Sequence, residues 1–291
     1  MLLMRRSSSL LLSAVAVLGL LGASCGSDDD SAATVAPTVA PTTEAPTTTA
    51  ATTTTEKAST TTAKAGVSGD VVVFAAASLT ASFTEIGDAF MTENPHATVT
   101  FNFDASSTLV TQIGEGAPAD VFASADEANM TKLTDAGGNA GEPAVFATNT
   151  LQIIVGKGNP KGITGVADLA NPDILYVTCA PEVPIGKYGA QVLTNAGVTV
   201  TPVSLEENVK GIVTKVTTGE ADAGIVYKTD VTAAGDQAEG VDIPADINVM
   251  ATYPRGVTTD AANPEGAAAW AAFITGSEGQ SILAEYGFEA A

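Results

Sequence analysis

Residues 71–80 read VVVFAAASLT, a β-branched run that breaks at Ser78 just ahead of a helical pattern. Leu79, Phe83, Ile86 and Phe90 follow at steps of four, three and four, the spacing of one face of an α-helix. A buried strand therefore feeds directly into a helix. Ser78 stands at the joint, where a hydroxyl can cap the helix and where the first amide N–H groups have no partner within it. Those free donors, together with the positive end of the helix dipole, also suit an anion. On these residues alone Ser78 is either a cap or an anion ligand.

Downstream the pattern repeats. The alternating run Thr98–Phe103 is followed by Asp104-Ala105-Ser106-Ser107-Thr108 and by the short helical face Leu109, Val110 and Ile113, so a second strand hands over to a helix at serine. Asp120–Ala123 reads as a third strand and Ala128–Ala136 as a helix carrying Met130 and Leu133. Beyond the apolar run Leu151–Val155 the alternation restarts, with a strand at Ile174–Thr178, a proline-marked turn at Pro181–Gly186 and a helix from Lys187 to Ala196. A short strand is expected at Val198–Val203, a helix over about 206–218 with Glu206 and Glu207 in its first turn, and a strand at Gly224–Tyr227. Ile247–Ala251 returns as a strand, Pro264–Thr275 is a helix with Trp270, Phe273 and Ile274 inward, and Ser281–Tyr286 reads as another helix. Strands alternating with helices give an α/β fold with parallel-rich sheets. The reading is two domains, residues 69–148 with 252–291 and residues 149–251, joined by two crossing segments near Thr148–Val155 and Val249–Tyr253. A ligand would lie in the cleft at that hinge, off the carboxyl ends of the strands.

Before this globular part the composition differs. Arg5 and Arg6 precede the apolar run Leu10–Leu21, which is too short for a typical spanning helix and reads as an export signal over residues 1–25. Its end, Gly22-Ala23-Ser24-Cys25, resembles a bacterial lipoprotein processing site, with Cys25 as the lipidated residue. Residues 26–68 are rich in Thr, Ala, Pro and Ser, with repeats such as Ala36-Pro37-Thr38 and Ala45-Pro46-Thr47. Such a segment buries too little to offset its ordering entropy and is expected to act as a tether. The chain is therefore placed outside the cytoplasm, held to the membrane by a lipid anchor only.

The formal charge of −21 over 291 residues argues against nucleic acid, whose phosphates need a basic patch. The two cysteines are Cys25 and Cys179, and Cys179 is read as a packed small hydrophobe. The one histidine, His96, follows Asn94-Pro95 in an expected loop. There is no Gly-x-Ser-x-Gly elbow, no phosphate-cradling Gly-rich loop and no second histidine for a metal or a triad, so the chain is read as a non-enzyme that needs no cofactor.

Five segments then carry a resemblance. FAAASLT at Phe74–Thr80, ASSTLVTQI at Ala105–Ile113, GAPADVFASAD at Gly116–Asp126, PEVPIGKY at Pro181–Tyr188 and GIVYKTD at Gly224–Asp230 resemble, in order, the molybdate-binding receptors of bacterial ABC importers. The resemblance implies a two-domain type II periplasmic-binding fold that closes on molybdate or tungstate and delivers it to a permease and ATPase complex, with the receptor itself a monomer. It also implies the ligand set: Ser78 and Ser106 through hydroxyl and amide, Ile185 and Val209 through their amides, and Tyr227 through its hydroxyl. No direct metal-ion ligands are implied, because the oxyanion is bound through its oxygens. Asp104 would repel a dianion if it pointed inward, and it is expected to face solvent. Another tetrahedral oxyanion such as sulfate is the alternative ligand, and a tethered cell-surface interaction protein is the alternative of a different class.

Overall fold

The computed structural model describes residues 66–291; the export signal, Cys25 and all but the end of the tether lie outside them. The opening stretch forms strand β1 (Ser68–Ala76), a 3₁₀ turn at Ala77–Leu79 and helix α1 (Thr80–Glu93). Leu79, Phe83, Ile86 and Phe90 are all buried, as their spacing requires. Each such side chain removed from water contributes ~1.5 to 3 kcal/mol. Against this face Trp270 lies edge-on to Phe83, Phe90 and Phe101, with ring centroids 5.8, 5.4 and 5.6 Å away.

Next come β2 (His96–Asp104), α2 (Ser106–Gly114), β3 (Val121–Ala123) and α3 (Glu127–Asp135). His96 is thus the exposed first residue of a strand rather than part of a loop. The long strand β4 (Ala144–Gly156) leads into β5 (Tyr176–Cys179), α4 (Pro184–Asn195), β6 (Ser204–Glu206) and α5 (Val209–Thr217). The chain ends with β7 (Ala223–Tyr227), α6 (Lys228–Ala234), β8 (Ala238–Asp242), β9 (Met250–Val257), α7 (Pro264–Thr275) and α8 (Ser277–Glu285).

Strand order is β2-β1-β3-β9-β4-β7-β5-β6, with β8 also on β4. Pairing is parallel at β1 with β2 and β3 and at β5 with β6 and β7. It is antiparallel wherever β4 or β9 takes part. β4 serves both halves: residues 144–150 pair with β9, while residues 151–156 pair with β7 and β8. The two crossing segments therefore run side by side. Pro254, which cannot donate to a ladder, sits in β9 where the register with β4 shifts between Val145 and Ala147.

Three local expectations are corrected. The helix expected over 206–218 begins at Val209, and Ser204–Glu206 is the strand expected at 198–203. Asn208 takes an extended backbone and its side chain accepts from the Lys210 amide, so the helix starts there and Glu206 instead pairs with Lys215 at 2.7 Å. The helix expected from Lys187 begins at Pro184, because proline fits the first helical position, and this draws Ile185 and Gly186 into its first turn. Ser78 makes no capping bond to α1. Cys179 is buried and free, and burial pushes its thiol up to about 12, so it stays protonated.

Candidate functional site

The five residues expected to bind, Ser78, Ser106, Ile185, Val209 and Tyr227, all line one small cavity where the two halves of the sheet meet. Its size is about 10 Å³, taken as room for the centre of a water-sized sphere. So small a space excludes a sugar or a peptide.

The walls are made of helix beginnings. Ser78 lies in the 3₁₀ turn ahead of α1, Ser106 is the first residue of α2, Ile185 the second of α4 and Val209 the first of α5. Tyr227 is the residue before α6. First-turn amides have no partner within their own helix, and each helix brings its positive end to the same point. Side-chain caps are lacking in α1, α2, α4 and α6, as they are in α8 away from the cavity, whereas α3 and α7 are capped by Asp126 and Asn263. In α5 the Asn208 side chain takes the Lys210 amide and leaves that of Val209. The ends facing the cavity are thus left largely uncapped, with first-turn amides free to donate.

The side chains are held from behind. Ser106 Oγ accepts from the Ala125 amide at 3.0 Å, which ties α2 to the segment after β3. Ser78 Oγ lies 3.1 Å from the Tyr253 hydroxyl on β9. The Tyr227 hydroxyl is buried and has no hydrogen-bond partner in the protein. Desolvation, reinforced by the neighbouring Tyr253 and Tyr188, pushes its ionisation well above the ordinary tyrosine range, so it remains an O–H donor. The Tyr227 ring packs edge-on against Tyr253 at 5.7 Å and Tyr188 at 6.5 Å.

Asp104 departs from expectation: half-buried, it lines the cavity. The Ala105 amide donates to its carboxylate at 2.7 Å and the Asn208 side-chain amide at 2.9 Å. Two donors and the start of α2 compensate its charge where it stands. The Asn208 bond also links the two sides of the cavity, as does Lys187 with the buried Asp126 at 3.7 Å. Sequence reasoning missed Asn208, Tyr188 and Tyr253. Only their proximity in space marks them, apart from the Asx position of Asn208 before a helical run, a recognisable cap signal. Among the described residues no group of three His, Cys, Asp or Glu side chains could hold a metal ion, and no helix is long and apolar enough to cross a membrane.

Residues 71–289 match the bacterial extracellular solute-binding protein family. The chain is 42% identical over 218 residues to the molybdate-binding protein ModA of Mycobacterium tuberculosis, covering 75% of this chain and 84% of that protein. In three dimensions it resembles the periplasmic molybdate-binding protein of Azotobacter vinelandii, with a TM-score of 0.67 and 22% identity, covering 76% of this chain and 99% of the other. It also resembles the sulfate-binding protein SubI of Mycobacterium tuberculosis, with a TM-score of 0.70 and 19% identity over 76% and 86% of the two chains. At such identities the two structures speak for the fold alone. The match over most of the chain does more: this protein belongs to the bacterial extracellular solute-binding proteins.

Proposed function

We propose that this protein captures molybdate or tungstate outside the cytoplasm and hands it to the permease and ATPase of an ABC importer. The observation that carries this reading is the set of hydroxyls and first-turn amides around the cavity, above all the buried Tyr227 hydroxyl that no protein group satisfies, while the Asp104 carboxylate in its wall accepts from Ala105 and Asn208. A fully ionised tetrahedral dianion accepts on every oxygen and donates nothing, so amides and hydroxyls match it. Phosphate near neutrality keeps a proton that needs an acceptor. Sulfate offers the same acceptor pattern and differs mainly in size. The 42% identity to a molybdate-binding protein favours the larger ions.

In this reading Ser78, Ser106, Ile185, Val209 and Tyr227 are the ligands, and the protein performs no catalysis. Residues 69–148 with 252–291 form one lobe and residues 149–251 the other, and they close by bending at the paired strands β4 and β9. Asp104 with Asn208, and Asp126 with Lys187, are contacts of the closed state. The protein acts as a monomer tethered through lipidated Cys25.

The test is thermal unfolding of the purified protein with each anion. At a hundredfold excess over its dissociation constant a ligand adds ~2.7 kcal/mol, readily seen as a rise in melting temperature. Molybdate and tungstate are expected to raise it, sulfate much less and phosphate little. An equal rise with phosphate, or none with molybdate, overturns the assignment.

A further inference from the structure

The carboxylates around the cavity are not balanced alike. Asp126, in the segment after β3, faces Lys187 Nζ at 3.7 Å, and Asp230, in the first turn of α6, holds Lys210 Nζ at 2.9 Å. Asp104, the last residue of β2 and part of the cavity wall, has no cationic partner among the described residues. Its partners are neutral: the Ala105 amide at 2.7 Å and Asn208 Nδ2 at 2.9 Å. The other end of Asn208 fixes this arrangement, because its Oδ1 accepts from the Lys210 amide at 3.0 Å and leaves the NH2 group to face Asp104. Neutral donors offset the cost of desolvating a carboxylate, yet they carry no net charge. One full negative charge therefore stays in the wall of the space that Ser78, Ser106 and Tyr227 also line.

We infer that Asp104 sets how firmly the site holds its anion: its uncancelled charge opposes the ligand, penalises divalent anions more than monovalent ones, and speeds release. Coulomb repulsion scales with the product of the charges, so a dianion meets about twice the penalty of a monoanion in the same place. Inside a small cavity that repulsion is screened less than at an open surface. A receptor that hands its ligand on must let go as well as bind. An opposing charge in the wall hastens dissociation while every donor stays in place. Asn208 limits the penalty, because its N–H dipole partly offsets the charge and ties Oδ1 of Asp104 to the other side of the cavity.

The inference rests on the oxyanion reading above, and the test separates the two. In mildly alkaline buffer, affinities and dissociation rates are measured for tungstate, a dianion, and perrhenate, a monoanion of the same shape and nearly the same size, on wild type, Asp104→Asn and Asp104→Ser. Asp104→Asn removes the charge and keeps an oxygen that can accept from Ala105 and Asn208. Tungstate should then bind about tenfold tighter, mostly through slower dissociation, and perrhenate about threefold tighter, the square root of that factor. Asp104→Ser removes the charge and the Asn208 bond together. The tungstate-to-perrhenate affinity ratio should still rise about threefold, so this variant decides if Asp104→Asn does not fold. With perrhenate below detection in every form, the change in tungstate affinity decides alone. A ratio that stays at the wild-type value, or tungstate bound no tighter by Asp104→Asn, overturns the inference and leaves the oxyanion reading standing. A wild-type protein that binds no tungstate overturns both.

Discussion

Tyr227→Phe is expected to weaken molybdate binding by ~10- to 100-fold while leaving the ligand-free protein at least as stable as wild type, the cost of one hydrogen bond to a charged acceptor. The two effects have different origins. In the free protein the hydroxyl is buried with no protein partner, so removing it relieves a desolvation cost, and phenylalanine keeps the ring in place against Tyr188 and Tyr253. With an anion present, that hydroxyl is one of the cavity's few donors. Calorimetric affinity and a melting curve on the same preparation check both halves. A variant that melts lower and binds as before would mean that Tyr227 is only a core aromatic.

Gly186→Ala is expected to cost ~3 kcal/mol of stability and to impair binding beyond what that loss explains. Gly186 is in the first turn of α4, where a Cβ would stand 2.5 Å from the Cys179 carbonyl oxygen and closer still to that of Ala180. Both are backbone atoms at the exit of β5, so relief comes by moving the start of α4. Ile185 and its amide move with it. Gly189, three residues further along the same helix, is the control: its Cβ would make ordinary contact with Ile225 at 3.7 Å. Gly189→Ala should be neutral, or stabilising by up to ~1 kcal/mol through helix propensity. Denaturant melts of both variants, with anion affinity measured well below the transition, separate helix displacement from simple loss of fold.

Most of what positions the site is visible in the sequence because it is periodic. The Leu79, Phe83, Ile86, Phe90 face fixes α1, and two strand-to-helix joints at serine mark two walls of the cavity. Pro264–Thr275 is read with its bounds intact because proline opens it and Gly276 follows it. What escaped depends on tertiary contact. Ser204–Glu206 is too short to show a period and becomes a strand by pairing with β5. Ala238–Asp242, AEGVD, has little β propensity and is held only by β4. Asp104 was expected outward on charge alone, since nothing local reveals that Asn208, over a hundred positions away, supplies its donor. Tyr253 reads as a strand aromatic until Ser78 is found beside it. The backbone ligands are the least legible of all, because the side chains of Ile185 and Val209 carry no information about their own amides.

In the proposed function one small cavity, walled mainly by neutral donors, holds one unprotonated tetrahedral oxyanion. Calorimetric titration of the purified protein tests it most directly, with molybdate as titrant and phosphate then offered in competition. Saturation at one molybdate per chain is expected, with phosphate unable to displace it at comparable concentration. Absence of saturable heat, or ready displacement by phosphate, would contradict it.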